Sequence, residues 1–173
     1  MHKSLSLSAI LLLAAAGVVH ASSGVFMDAG WAAATCDAWN SNDTLTSELG
    51  SSGWAANGGD KGYKIMRVHR SDCGEQTATE LHIALQDGRA MCKRGRDASD
   101  VELSSKVDYA MWAETTRWQE MGAGKYGAMK AMMTGRLKFS GPKGEAMSNM
   151  GPFGAFLRLV GEVDADASTC PAS

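Results

Sequence analysis

Two runs of alternating polar and apolar residues meet at Asp87-Gly88, and that junction constrains the fold more than any other feature. Asp-Gly between such runs is a strong hairpin signal, because a two-residue turn that matches strand twist needs positive φ at both central positions. Residues 78–86 and 89–94 therefore read as paired strands, and residues 62–72 alternate as a third. A four-residue turn at 74–77 sets a register with Val68 opposite Ile83 and Met66 opposite Leu85. Those four side chains and Leu81 then share one face, while Arg67, His69, His82 and Gln86 share the other. One buried and one solvated face is the ordinary state of an antiparallel sheet in water.

Around this sheet the chain alternates between helical and extended patterns. Met27, Trp31, Ala34 and Ala38 fall at helical spacing over residues 26–40. Asn42-Asp43-Thr44 offers caps for a short helix with Leu45 and Leu49 one turn apart and Gly50 as its stop. Residues 106–113 read as strand four. Thr115 caps a helix reaching Met121, Gly122-Ala123-Gly124 interrupts it, and residues 125–133 form another that Gly135 closes in the left-handed conformation. Residues 136–140 supply strand five, Gly141-Pro142 turns the chain, and a helical pattern broken near Gly151-Pro152 continues to Val160. Five strand patterns interspersed with helical ones read as one α/β unit.

The chain starts with Met1-His2-Lys3, a basic end, followed by an apolar run over residues 9–19 that is too short for a bilayer span of about 20 residues. Val19-His20-Ala21 places small side chains at the outer positions of a cleavage site, so residues 1–21 read as a secretory signal. A single domain over 22–163 and a small-residue tail over 164–173 follow. Cys36, Cys73, Cys92 and Cys170 are even in number, with no C-x-x-C spacing for zinc, redox or haem chemistry. Two disulfides in an oxidising compartment are expected, and a periplasm is the favoured destination. Three pairings are open, with Cys170 tying down the tail. Balanced charge, 17 basic against 19 acidic residues, gives no footprint for nucleic acid.

The most specific stretch is Val107-Asp108-Tyr109, the helix with Trp118, Lys125-Tyr126-Gly127-Ala128-Met129, and then Met132-Met133-Thr134-Gly135-Arg136-Leu137-Lys138-Phe139-Ser140-Gly141, followed by Glu145-Ala146-Met147. Together these resemble the sterol carrier protein type 2 family over about residues 45–160. The resemblance implies an α/β (α+β) fold, a five-stranded, mainly antiparallel sheet with helices packed on one face, and a lipid-carrier domain with an apolar tunnel between sheet and helices. No Ser-His-Asp or Cys-His arrangement appears in local sequence, so neither enzymatic activity nor a cofactor is expected. The signal segment and the cysteines depart from the family pattern, so an intracellular acyl-CoA role transfers poorly.

Methionine is unbranched and polarizable, which suits a wall that must refit to irregular guests. Met129, Met132 and Met133 fall at i, i+3, i+4 on one helix face. With Met111, Phe139, Met147, Met150, Phe153, Phe156 and Leu157 they form the expected lining of an apolar cavity for a sterol or acyl chain. Two other readings use the same residues: a Cu(I)-handling protein with thioether ligands such as Met147 and Met150 at i, i+3, and a ligand-free interaction module with a filled tunnel. His69 and His82, opposite each other in the expected register, are read as solvent-facing rather than as a metal pair. Lys93-Arg94-Gly95-Arg96 reads as a solvated basic loop able to touch anionic headgroups, so transient membrane contact is expected. Gly141-Pro142-Lys143-Gly144 lacks the flanks of a phosphate loop.

Overall fold

A five-stranded sheet in the order β3-β2-β1-β4-β5 frames the computed structural model, which describes residues 24–172. The strands are β1 (Lys64–Arg70), β2 (Thr79–Gln86), β3 (Arg89–Asp97), β4 (Tyr109–Ala113) and β5 (Lys138–Ser140). The expected signal over 1–21 lies outside the described residues. The sheet is mixed: β1 runs parallel to β4, and the other three pairs are antiparallel. Helices α1 (Ala29–Asn40), α2 (Leu49–Ser51), α3 (Thr115–Gly122), α4 (Ala128–Met133), α5 (Lys143–Ser148) and α6 (Met150–Glu162) complete the domain.

The β2–β3 hairpin forms at Asp87-Gly88, both with positive φ, as the turn chemistry requires. The register of β1 on β2 differs from expectation by four residues. Val68 pairs with Thr79, Met66 with Leu81 and Lys64 with Ile83. The reason is where the chain turns: the amides of Cys73 and Gly74 both donate to the Arg70 carbonyl, and a 3-10 turn over Glu75–Thr77 takes up residues that a longer hairpin would pair. A shift by an even number keeps every side chain on its face, so Met66, Val68, Leu81 and Ile83 are still buried together. Leu85 overshoots β1 and is 44% exposed. His69 and His82 are also separated. His82 lies opposite Ile65 and stacks on Tyr63, whereas His69 lies beside Trp112 and stacks on it. The segment 93–96 is part of β3 rather than a loop.

Helix α1 starts at Ala29, because the Asp28 carboxylate caps it by accepting from the Trp31 amide at 2.7 Å. Its buried face is Trp31, Ala32, Thr35, Cys36 and Trp39, one step round from the expected stripe. It lies close on β3: a Cβ on Gly95 would sit 1.9 Å from the Ala32 carbonyl oxygen, so only glycine admits that approach. Disulfides join Cys36 to Cys92 and Cys73 to Cys170. The second ties the tail, whose Ala167 and Thr169 carbonyls also accept from the buried Arg70 guanidinium. Several helix ends differ from the sequence pattern: α1 starts at Ala29 rather than 26, and α4 at Ala128 rather than 125, with Gly127 extended just before it. α2 continues through Gly50 to Ser51. The cap of α3 comes from Asp72, which accepts from the Thr115 amide and hydroxyl at 2.9 and 2.6 Å. The last break falls at Asn149, with Gly151-Pro152 inside the first turn of α6, where a missing N–H costs nothing.

Candidate apolar binding site

The cavity is built by one continuous stretch of chain. In α4, Ala128 and Ala131 face the core, which leaves Met129, Met132 and Met133 to form a wall. Gly135, at φ +68°, reverses the chain, and the amides of Arg136 and Leu137 both donate to the Ala131 carbonyl, holding the turn tight. β5 then leaves along the edge of the sheet, with Phe139 opposite Met111. After Gly141-Pro142, α5 returns across the opening and contributes Lys143, Ala146 and Met147. The space between α4, β5 and α5 is a cleft of about 510 Å³ open to solvent on one side, within the range of about 300–1,000 Å³ common for small-molecule sites. Its wall is apolar, and its only charged lining groups are Lys138 and Lys143.

Five of the expected lining residues come together here: Met129, Met132, Met133, Phe139 and Met147. The others do not line this cavity. Met111 is fully buried beneath it in the sheet. Phe153 stands behind Phe139, edge to face at 5.8 Å. Phe153 and Phe156 border a separate gap of about 10 Å³ among Trp39, Trp54 and Met66. Leu157 borders the cleft beside Met121 and Tyr126. Met150 is half-buried against the core, apart from Met147. The layer between sheet and helices is thus occupied by aromatic side chains, and the open space lies at the β5 edge.

Sequence reasoning missed what anchors α5. Glu145 points away from the cavity and into the fold. Its Oε1 accepts from Lys64 Nζ at 2.7 Å and from the Tyr109 hydroxyl, and its Oε2 accepts from Asn57. Lys64 is fully buried, donates to the Val107 carbonyl at 2.9 Å and lies over the Trp54 and Tyr109 rings. Burial pulls the Lys64 ammonium below its ordinary range, while Glu145 and Asp108 pull it back up. Burial and the bond to Glu145 push the Tyr109 phenol up. The strand phase that buries Met66 and Val68 also turns Lys64 inward, so an inward lysine was a readable signal for a buried partner.

The arrangement offers no nucleophile with a base at the cavity, and among the described residues no group of three or more His, Cys, Asp or Glu is placed to hold a metal ion. What it offers is apolar surface with a cationic rim. The model of the SCP-2 sterol transfer family matches residues 61–154, which spans β1 through α5 and into α6. The chain belongs to the SCP-2 sterol transfer family. Among solved structures, sterol carrier protein 2 matches with a TM-score of 0.53 at 19% identity, covering 79% of this chain and 98% of that one. Two further structures match with lower TM-scores. A conserved hypothetical protein from Thermus thermophilus gives 0.46 at 20% identity, covering 80% of this chain and 89% of its own. Sterol carrier protein 2 from Yarrowia lipolytica in its apo form gives 0.37 at 15% identity, covering 72% and 88%. A search of curated proteins returned no match. For this SCP-2 family member, the likeness to the first of these structures establishes the fold.

Proposed function

We propose that the protein is an exported, non-enzymatic lipid carrier that seats the apolar part of a sterol or acyl-chain lipid between α4, β5 and α5. The observation that carries this reading is the methionine-walled cavity of about 510 Å³, in a chain of the SCP-2 sterol transfer family. Enclosing about 400–500 Å² of lipid apolar surface is worth roughly 10–12 kcal/mol at 25 cal/mol/Å². A bilayer offers the same chain a comparable gain, about 0.8 kcal/mol per buried CH₂. A carrier needs only near parity, and no covalent step. Export is supported by the two disulfides, which persist in oxidising compartments, and by the apolar N-terminal run.

The test is to extract the purified protein for lipid mass spectrometry and to measure uptake of a fluorescent fatty acid and a fluorescent sterol. Met132→Glu, which sets a carboxylate into the wall, is expected to abolish uptake with the circular dichroism spectrum unchanged. Absence of both co-purified lipid and uptake rejects the carrier in favour of an interaction module on the same fold. A second reading rests on the same wall: Met129, Met132, Met133 and Met147 group four thioethers, the ligand type that selects Cu(I). Cu(I) titration of lipid-free protein separates it, because a carrier shows no stoichiometric binding.

A further inference from the structure

Residues 121–144 hold five basic residues, Lys125, Lys130, Arg136, Lys138 and Lys143, and no acidic one, in a chain whose total charge is −2. The first carboxylate beyond this stretch, Glu145, is turned inward onto Lys64. The four lysines are exposed. Between them stand the large apolar side chains this surface leaves in water: Met133 is 79% exposed, Met147 49% and Met129 40%. All three methionines, with Lys138 and Lys143, line the mouth of the same cavity. Exposed apolar side chains rimmed by charge mark an interaction surface, and the single sign of that charge selects the partner.

We propose that the cavity mouth docks on an anionic lipid bilayer, with Met129, Met133 and Met147 entering the headgroup boundary and Lys130, Lys138 and Lys143 meeting the headgroup phosphates. The occupant follows from charge complementarity. A bilayer leaflet rich in acidic lipid attracts each nearby lysine, and flexible thioether side chains bury well in a disordered apolar boundary. A second copy of this chain would set like charge against like charge and does not fit. The docked pose turns the cavity toward the acyl region, so cargo passes between bilayer and protein without crossing water. The surface expected from sequence, 93–96, lies on β3 at the opposite edge of the sheet from β5. The docking face takes its purpose from the carrier reading but is measured independently of it.

Co-sedimentation with vesicles tests the proposal. The protein is expected to bind vesicles of phosphatidylcholine with phosphatidylglycerol, to bind phosphatidylcholine alone poorly, and to be released by salt as screening grows. Lys138→Gln with Lys143→Gln should weaken binding by roughly five-fold per lysine, the equivalent of about 1 kcal/mol each. Met133→Ser should weaken it further, whereas Lys93→Gln on β3 should leave it unchanged. Equal binding to neutral vesicles, a larger loss from Lys93→Gln than from the rim pair, or no vesicle binding overturns the proposal. Uptake of a fluorescent fatty acid in vesicle-free solution reads the cavity by itself. Normal uptake with no vesicle binding therefore rejects the docking face alone, and vesicle binding with no uptake rejects the carrier alone.

Discussion

The two sides of this domain are built from different side chains. Beneath β2 and β3, Trp31, Trp39, Leu45 and Ile83 are fully buried, Trp39 stacks on Trp54, and the Trp39 indole donates to the Ala90 carbonyl at 2.9 Å. Cys36–Cys92 bolts α1 to β3, and Asn40 bonds the Cys92 backbone in both directions. At the far edge, β5 is three residues long and pairs with β4 alone, and the side chains over it are methionines that reach solvent. Aromatic rings have few rotamers and fixed shapes, so they specify one packing. Methionine has three soft torsions and specifies none. The stapled side holds the frame, and the methionine side stays adjustable.

The two largest expected effects, of similar size, fall on the stapled side, and one comes from cutting the staple. Cys36→Ser with Cys92→Ser opens a loop of 56 residues in sequence and should cost roughly 4 kcal/mol in the chain-entropy account, read by urea denaturation. Ligand uptake at temperatures where the variant is folded should be unchanged. Uptake that falls in parallel with stability would join the two sides that the packing separates. Trp39→Ala, which leaves the Ala90 carbonyl without its partner, should cost about 3–5 kcal/mol. The contrast is Met133→Ala at the mouth, which should stay within about 0.5 kcal/mol.

What the sequence disclosed follows the same division. Strand and helix identities were legible because periodicity and turn residues act locally: Asp87-Gly88, Gly135, and the five strands themselves. The wall of Met129, Met132, Met133, Phe139 and Met147 was legible because it is nearly contiguous. The β1–β2 register was not, since it depends on the turn at Arg70 and on Cys73 meeting Cys170, 97 residues away. Nor was the aromatic filling of the interior. Phe153, Phe156 and Met111 carry the same apolar signal as the wall residues, and only three-dimensional placement tells a core side chain from a lining one. The parallel pairing of β1 with β4 and the buried Lys64–Glu145 pair likewise join residues distant in sequence.

A pH titration probes a buried carboxylate on β2, on the sheet face opposite Leu81 and Ile83. Burial would raise the Glu80 carboxyl, but bonds from His82, Arg67 and Ser99 outweigh it and hold the group at about 2, below its ordinary 4.5. A depressed carboxyl stabilises the fold above the unfolded value, and the gain is lost as pH falls from about 4.5 toward about 2. The contribution is on the order of 2–3 kcal/mol. Glu80→Gln should flatten the stability profile in that window and leave the methionine wall's uptake intact. A profile as steep as the parent's would mean that another carboxylate carries the acid response.

A smaller change in stability, read mainly through the guest, should fall at the boundary between the two sides. Phe153 stands edge to face behind Phe139, and Ala146 borders both the open cavity and the gap of about 10 Å³ among Trp39, Trp54 and Phe156. A guest that fills the methionine-lined space meets Phe139 as its floor, with Phe153 supporting that ring from behind. Phe153→Leu keeps the position apolar and removes ring volume, for a cost of about 1–2 kcal/mol from the space left behind. The released volume adjoins the gap, so the floor recedes toward Trp39. In a competition series of fatty acids of increasing length, the variant should therefore favour longer chains than the parent does. An unchanged length preference would place the guest wholly outside the ring pair, with Met133 and Met147 rather than Phe139 deciding how much of it is enclosed.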